Sequence, residues 1–170
     1  VVAFISLANN LVPGDMGWFY DVFVIDCLGL ESMIYCAGKP NSLGCTPRLD
    51  TRGTPSVTAG RGFEISAIEV VSETNGFFFY GTNGDLATPL WGGGFLCVEP
   101  PFRRTPIVAI GGSYGVCNGK LSIDFNGWVT SGVDPSLVAG TPVYVQAWSR
   151  DPASVSEGSL SDAVAFVIGL

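Results

Sequence analysis

The chain contains no histidine. That excludes Ser-His-Asp and Cys-His catalysis, which need an imidazole as general base. It also leaves any zinc site to four cysteines in an unusual layout. Basic residues are few: eight Lys and Arg stand against fifteen Asp and Glu, a net charge of −7. They form no stripe, so nucleic acid is not expected as a partner. No apolar run reaches the roughly 18 residues of a membrane span. Gly92-Gly93-Gly94 precedes a strand-like run, not a helix, so it reads as a turn after Trp91 and not as a phosphate cradle. No carboxylate pair carries a local signature for glycoside hydrolysis. Asp15 and Asp21 lack the oxygen pattern of a calcium loop, because Met16 and Trp18 supply no side-chain oxygen. Together these absences predict a protein that is not an enzyme and uses no metal or cofactor.

What the chain does have is apolar and turn-forming. Of its 170 residues 47% are hydrophobic and only 14% charged, with 23 Gly and 11 Pro. That balance favours short buried strands joined by tight turns over surface helices. Val1-Val2-Ala3-Phe4-Ile5-Ser6 and Asp21-Val22-Phe23-Val24-Ile25-Asp26 are short strands that pair as a hairpin, with Asn9–Asp15 between them rich in turn residues. From Ser56 onward turn clusters recur every eight to twelve residues, the spacing of an all-β sandwich. Strands are expected near Ser56–Ala59, Gly62–Val71, Gly76–Gly81, Gly94–Glu99, Ile107–Ile110, Lys120–Phe125, Val143–Ser149 and Ala163–Ile168. Four Asn-Gly steps, at Asn75, Asn83, Asn118 and Asn126, are tight-turn candidates because both residues tolerate positive φ. Asp134-Pro135-Ser136-Leu137 has the start of a helix, which Gly140 and Pro142 would end at once. Ser161–Ile168 reads as a terminal strand.

Two resemblances follow from these residues. Val2-Ala3-Phe4, Ala8-Asn9-Asn10-Leu11-Val12-Pro13-Gly14-Asp15 and Asp21-Val22-Phe23-Val24-Ile25-Asp26 resemble one repeat of a TolB-type β-propeller of bacterial secreted proteins. The repeat departs at Met16-Gly17-Trp18, where an Asn-Gly turn is usual. A single repeat cannot close a propeller, so residues 1–30 look like a remnant of a blade, and the chain like a fragment of a longer precursor. The second resemblance runs from Tyr35-Cys36 and Cys45-Thr46-Pro47 through Gly53-Thr54-Pro55-Ser56, Phe79-Tyr80-Gly81, Phe95-Leu96-Cys97-Val98, Arg103-Arg104-Thr105-Pro106 and Asp134–Thr141 to Trp148-Ser149-Arg150-Asp151-Pro152 and Leu160-Ser161-Asp162-Ala163. It is similar to a C-terminal domain of planctomycete-type secreted proteins. The resemblance implies a module at the end of large exported proteins, often behind propellers, and implies no activity.

The expected architecture is therefore an antiparallel β-sandwich of about eight strands over residues 35–170. It follows a linker at 31–34 and the β-hairpin remnant of a propeller blade at 1–30. Five cysteines without a Cys-x-x-Cys step read as disulfides and so as an oxidising compartment, extracellular or at the cell surface. Four cysteines allow three pairings. Locality, together with the place of Cys27 outside the second resemblance, predicts Cys36–Cys45 and Cys97–Cys117 with Cys27 left over.

Trp148-Ser149-Arg150-Asp151-Pro152 is the most distinctive polar motif. Structurally, Arg150 would pair with a carboxylate such as Asp162 or Asp124. Functionally, Trp148 and Arg150 form a platform for sugar stacking or carboxylate capture, with Trp91 as a further exposed stacking residue. The expected role is non-catalytic binding or attachment at the cell surface or in the matrix. The partners are an extracellular polysaccharide or protein and the rest of the parent β-propeller. The alternatives are a sorting module read at Phe166-Val167-Ile168-Gly169-Leu170, or a carbohydrate-binding module of a larger enzyme.

Overall fold

A computed structural model describes residues 2–6, 21–25, 32–90 and 93–170. The chain divides into two units, Val1–Leu30 and Glu31–Leu170. In the first, β1 (Val2–Ser6) pairs antiparallel with β2 (Asp21–Ile25), Val2 opposite Ile25 and Ser6 opposite Asp21. The intervening residues, including the Met16-Gly17-Trp18 departure, and Cys27 lie outside the described residues.

The second unit is all-β apart from one short helix, and its sheets are antiparallel. Its strands are β3 (Met33–Tyr35), β4 (Arg48–Arg52), β5 (Glu64–Val70), β6 (Thr74–Gly81), β7 (Asp85–Pro89), β8 (Phe95–Val98), β9 (Arg103–Arg104), β10 (Val108–Ile110), β11 (Gly119–Asp124), β12 (Pro142–Arg150) and β13 (Gly158–Val167); the helix is α1 (Phe125–Thr130). Six strands form one sheet in the order β10-β6-β12-β13-β3, with β9 also on β6; three form another, β11-β5-β4; and β7-β8 is a separate ribbon. The two larger sheets are the layers of the sandwich.

Side-chain alternation explains the layering. A strand sends successive side chains to opposite faces. On β6, Phe78 and Tyr80 join the main core; on β12, Val143, Val145 and Ala147; on β13, Val164 and Phe166. The opposing sheet supplies Leu49, Ile65, Ala67, Val70 and Leu121. Phe63, Phe125 and Phe166 interlock edge-on, with ring centroids 4.8 and 5.2 Å apart, a geometry the ring quadrupole favours. The alternate residues of the same strands, Phe77, Phe79, Tyr144 and Trp148, leave by the other face and make a second cluster with Val98, Leu96, Phe102 and Leu160.

The strand count exceeds expectation. About eight strands are expected, and eleven form among the described residues of this unit. The additional ones, β3, β4, β7 and β9, are mostly short, polar or proline-bearing pieces held by tertiary pairing. β3 takes in Met33 and Ile34, assigned to the linker at 31–34, because its residues pair with Ala163–Ala165 of β13. Ser56–Ala59 is not a strand; Ser56 makes one bridge to Gly169.

Asn-Gly steps turn the chain less often than expected. Asn75-Gly76 lies inside β6, Asn118-Gly119 opens β11, and Asn126-Gly127 sits in α1, leaving Asn83-Gly84 between β6 and β7. The helix forms there because Asp124 caps it: its carboxylate accepts from the Gly127 N–H. The buried Asn126 amide then ties it to Ser56 and Thr54. Asp134–Leu137 is a single turn in which the Asp134 carboxylate accepts from the Ser136 N–H and hydroxyl.

The disulfide pairing differs from the local one expected. Cys36 bonds Cys97, and Cys45 bonds Cys117, with Cα separations of 6.2 and 6.4 Å. The cause is topological. Cys36 follows β3 in the six-stranded sheet and Cys45 precedes β4 in the three-stranded one, so the segment between them crosses from one layer to the other. Each cysteine pairs within its own neighbourhood. Cys45–Cys117 joins the starts of β4 and β11, which flank β5. Cys36–Cys97 fastens the β7-β8 ribbon to the edge strand β3.

Candidate functional site

The outer face of the six-stranded sheet is only partly covered, and its uncovered part is a groove. The groove encloses about 300 Å³ and is lined chiefly by Phe77, Phe79, Leu90, Phe102, Trp148 and Leu160, with Lys39 and Arg104 as its cations. Cross-strand register sets its floor. Trp148 lies directly opposite both Phe77 on β6 and Leu160 on β13, so the three form one row across three strands. Trp148 stacks on Phe77 with centroids 5.1 Å apart and an interplanar angle of 26°. Phe79 and Phe102 meet at 5.1 Å. Arg104, opposite Phe79, places its guanidinium 5.1 Å from the centre of the Phe77 ring, a cation–π contact.

One wall is the β7-β8 ribbon, and three contacts hold it. The buried Gln146 side chain accepts from the Cys97 N–H at 3.0 Å and donates to Phe95 and Ser161 carbonyls at 3.0 and 2.8 Å. The Tyr35 hydroxyl donates to the Cys97 carbonyl at 2.6 Å. Burial, with the Asp85 charge behind it, pushes that phenol well above its ordinary pKa, so it stays a donor. The Cys36–Cys97 disulfide is the third contact.

The other wall is Lys39 with the loop before β13. Lys39 is 8% exposed. Its stem runs against Gly94, where an added Cβ would fall 2.9 Å from the Lys39 Cβ. Its ammonium donates to the Gly158 carbonyl at 3.0 Å and to the Ser156 hydroxyl. Gly158 also carries the indole edge: a Cβ there would lie 2.8 Å from Trp148 Cε2 and closer still to Nε1. The Lys39 ammonium and the Trp148 indole nitrogen thus both lie against the same glycine.

Ion pairing elsewhere leaves these cations apart. Among the described residues, Arg48 pairs with Glu69, Arg52 with Asp50, Lys120 with Glu64 and Arg103 with Asp134. The Lys120 pair holds the Glu64 carboxyl down at about 2, mainly through its hydrogen bond. Arg103 reaches Asp134 at 2.8 Å, and Asp134 also accepts from the Tyr80 hydroxyl at 3.0 Å. Burial alone would raise the Asp134 pKa. The Ser136, Tyr80 and Arg103 donors outweigh it and lower the pKa below the ordinary carboxylate value. This buried carboxylate is therefore structural: it anchors the turn after α1 to β6.

The sequence-expected site residues fall in different places. Trp148 lies in the groove. Arg150, two residues on, is exposed and is not among the lining residues. Its expected pairing with Asp162 or Asp124 does not form among the described residues. Arg150 is opposite Gly158 at one end of the β12-β13 ladder, whereas Asp162 lies further along β13 and accepts from the Leu49 N–H at 2.6 Å. Asp124 is occupied as the helix cap and accepts from Gly62 as well. Trp91 lies outside the described residues, between Leu90 and Gly93, which both line the groove. Sequence reasoning missed Phe77, Phe79, Phe102, Lys39 and Arg104. The available signal was the run Phe77-Phe78-Phe79-Tyr80, whose length in aromatics requires an apolar cover on both faces of the strand.

Among the described residues no cluster of His, Cys, Asp and Glu is arranged to hold a metal ion, and no helix is long and apolar enough to cross a membrane. The two disulfides are compatible with an oxidising extracellular environment. Compared with protein-family models, curated proteins and solved structures, the chain matches none.

Proposed function

We propose that this chain is a non-catalytic binding module of an exported bacterial protein, acting in attachment at the cell surface or in the extracellular matrix, and that the groove on the outer sheet face is where it binds. The observation that carries the reading is the row Leu160-Trp148-Phe77, held by cross-strand pairing, in which Leu160 is buried but Trp148 and Phe77 are only partly buried and line the groove. Ligand sites are typically concave and apolar with a few placed polar groups, and this groove has that composition. The disulfides support an oxidising compartment, and the resemblance to secreted modules that follow propellers supports export.

The test is retention of the full chain on a panel of immobilised extracellular polymers: neutral and acidic polysaccharides and a displayed random peptide library. Retention that falls about tenfold in Trp148→Ala or Phe102→Ala, as loss of a buried aromatic anchor implies, supports the reading. No retention on any polymer, or retention indifferent to both substitutions, overturns it.

A further inference from the structure

We infer that the occupant of the groove is a polypeptide segment that places one large apolar side chain on the aromatic floor and an adjacent carboxylate against Lys39; this rests on the groove being the binding site. The argument begins with the buried ammonium. A charge taken out of water is normally paired. Lys39 is only 8% exposed, yet among the described residues its ammonium meets only neutral oxygens, Ser156 Oγ and the Gly158 carbonyl. An ammonium has three donors, and the described residues use two. No carboxylate lies within 4.0 Å of it among the described residues, in a protein whose net charge is −7.

The neighbourhood supplies further donors. The Trp148 indole nitrogen lies against the same Gly158. Arg104 stands at the opposite rim over Phe77, and among the described residues it too has no carboxylate partner. A carboxylate at Gly158 would take the third ammonium proton and the indole N–H together, both charge-assisted bonds. Arg104 would add attraction along the approach.

The floor decides the rest of the ligand. Leu90, Leu96 and Leu160 with Phe77, Phe79 and Phe102 offer no hydrogen-bonding side-chain atoms. A sugar ring seated there would leave hydroxyls facing leucine, at about 1–3 kcal/mol for each one stranded. A phenyl or branched aliphatic side chain loses nothing. The volume, about 300 Å³, is at the small end of ligand cavities and admits one large side chain with its flanks, not a run of saccharides.

The test uses the full chain and three fluorescein-labelled probes. These are a nonapeptide with Glu-Phe-Asp at its centre and Gly-Ser flanks, its Gln-Phe-Asn counterpart, and an oligomer of uronic acid. Anisotropy reads affinity, and the indole N–H resonance assigned by Trp148→Phe reads location. The acidic peptide is expected to bind at least about tenfold tighter than the neutral one, because truncating one member of a buried charge pair costs that much or more. It should also shift the Trp148 resonance. Lys39→Met, which keeps the buried stem, is expected to erase the preference by speeding dissociation. Arg104→Gln, at an exposed position, is expected to slow association and flatten its salt dependence without altering the fold. Equal binding of the two peptides, or binding of the uronate oligomer with no peptide binding, overturns this inference and leaves the groove as a site. If no probe moves the Trp148 resonance, and no polymer is retained in the assay above, the binding reading itself fails.

Discussion

On the inner side of β6, Phe78 and Tyr80 are each 1% exposed and are enclosed by the three-stranded sheet, α1 and the turn after it. On the outer side of the same strand, Phe79 is still buried, in the cluster with Val98 and Phe102, whereas Phe77 is only partly buried and borders the groove. Composition does not distinguish the two faces: both are aromatic and aliphatic. They differ in how far the covering layer reaches. The inner cover spans the strands and yields a closed core. The outer cover, fastened at one edge by Cys36–Cys97 and Gln146, stops short of Trp148 and Phe77 and leaves a groove. Stability should therefore reside mainly on the inner side and recognition on the outer, within one strand's alternation.

Adjacent substitutions offer the most direct way to break that comparison. Phe78→Ala empties part of the closed core and is expected to lower unfolding free energy by about 3–5 kcal/mol, read from the urea midpoint. Phe77→Ala removes a partly buried ring that lines the groove, and is expected to cost about 1 kcal/mol while abolishing ligand retention. Equal losses from the two would mean that the outer face is core and not a site.

The disulfides sharpen the same contrast at the next scale down. Each closes a long loop, with sequence separations of 61 and 72, which the chain-entropy model values at about 4 kcal/mol, against roughly 2.7–3.3 for the two local loops expected from sequence. Cys45→Ser with Cys117→Ser loosens the sheet that closes the core, so global stability should fall by about 2–4 kcal/mol. Cys36→Ser with Cys97→Ser releases the ribbon, which can open by itself. Its first sign should be faster amide exchange in β7 and β8, with a smaller shift in the urea midpoint.

Much of the sandwich was legible because alternation is local. Ile65-Ser66-Ala67 and Val143–Trp148 carry their face assignment in sequence. The pairing of cysteines was not legible, because it depends on which sheet β3 and β4 join, and neither three-residue Met33–Tyr35 nor polar Arg48–Arg52 announces itself as a strand. The groove was half legible. Trp148 stood out by its motif, but Lys39 is a surface-type residue in a Gly/Pro/Asn segment, and only the crossing of that segment under the ribbon buries it. Arg150 was chosen for its closeness in sequence to Trp148, whereas on a strand the residue two away lies one step beyond the groove's end.

The smallest expected effect concerns the seam between the layers. Asp162, on β13, accepts from the Leu49 N–H on β4 and so bridges the two sheets. Burial pushes its carboxyl above the ordinary range, only partly offset by that hydrogen bond and by Arg48. A carboxyl whose folded pKa is raised binds its proton more tightly in the native state, so its ionised form costs stability at neutral pH. That cost is relieved as pH falls through the folded pKa toward the unfolded value of about 3.9. Asp134 and Glu64, both lowered, act in the opposite sense: their stabilisation is present above the unfolded value of about 4 and is lost as pH falls below it. Asp162→Asn keeps an acceptor for Leu49 and removes the titration. Wild type minus variant stability should therefore rise as pH is lowered from 7 to about 4, measured by urea unfolding at each pH. A difference that stays flat would place Asp162 in contact with water and not in the seam. The inner layer would then be less closed at that edge than the contrast between the two faces requires.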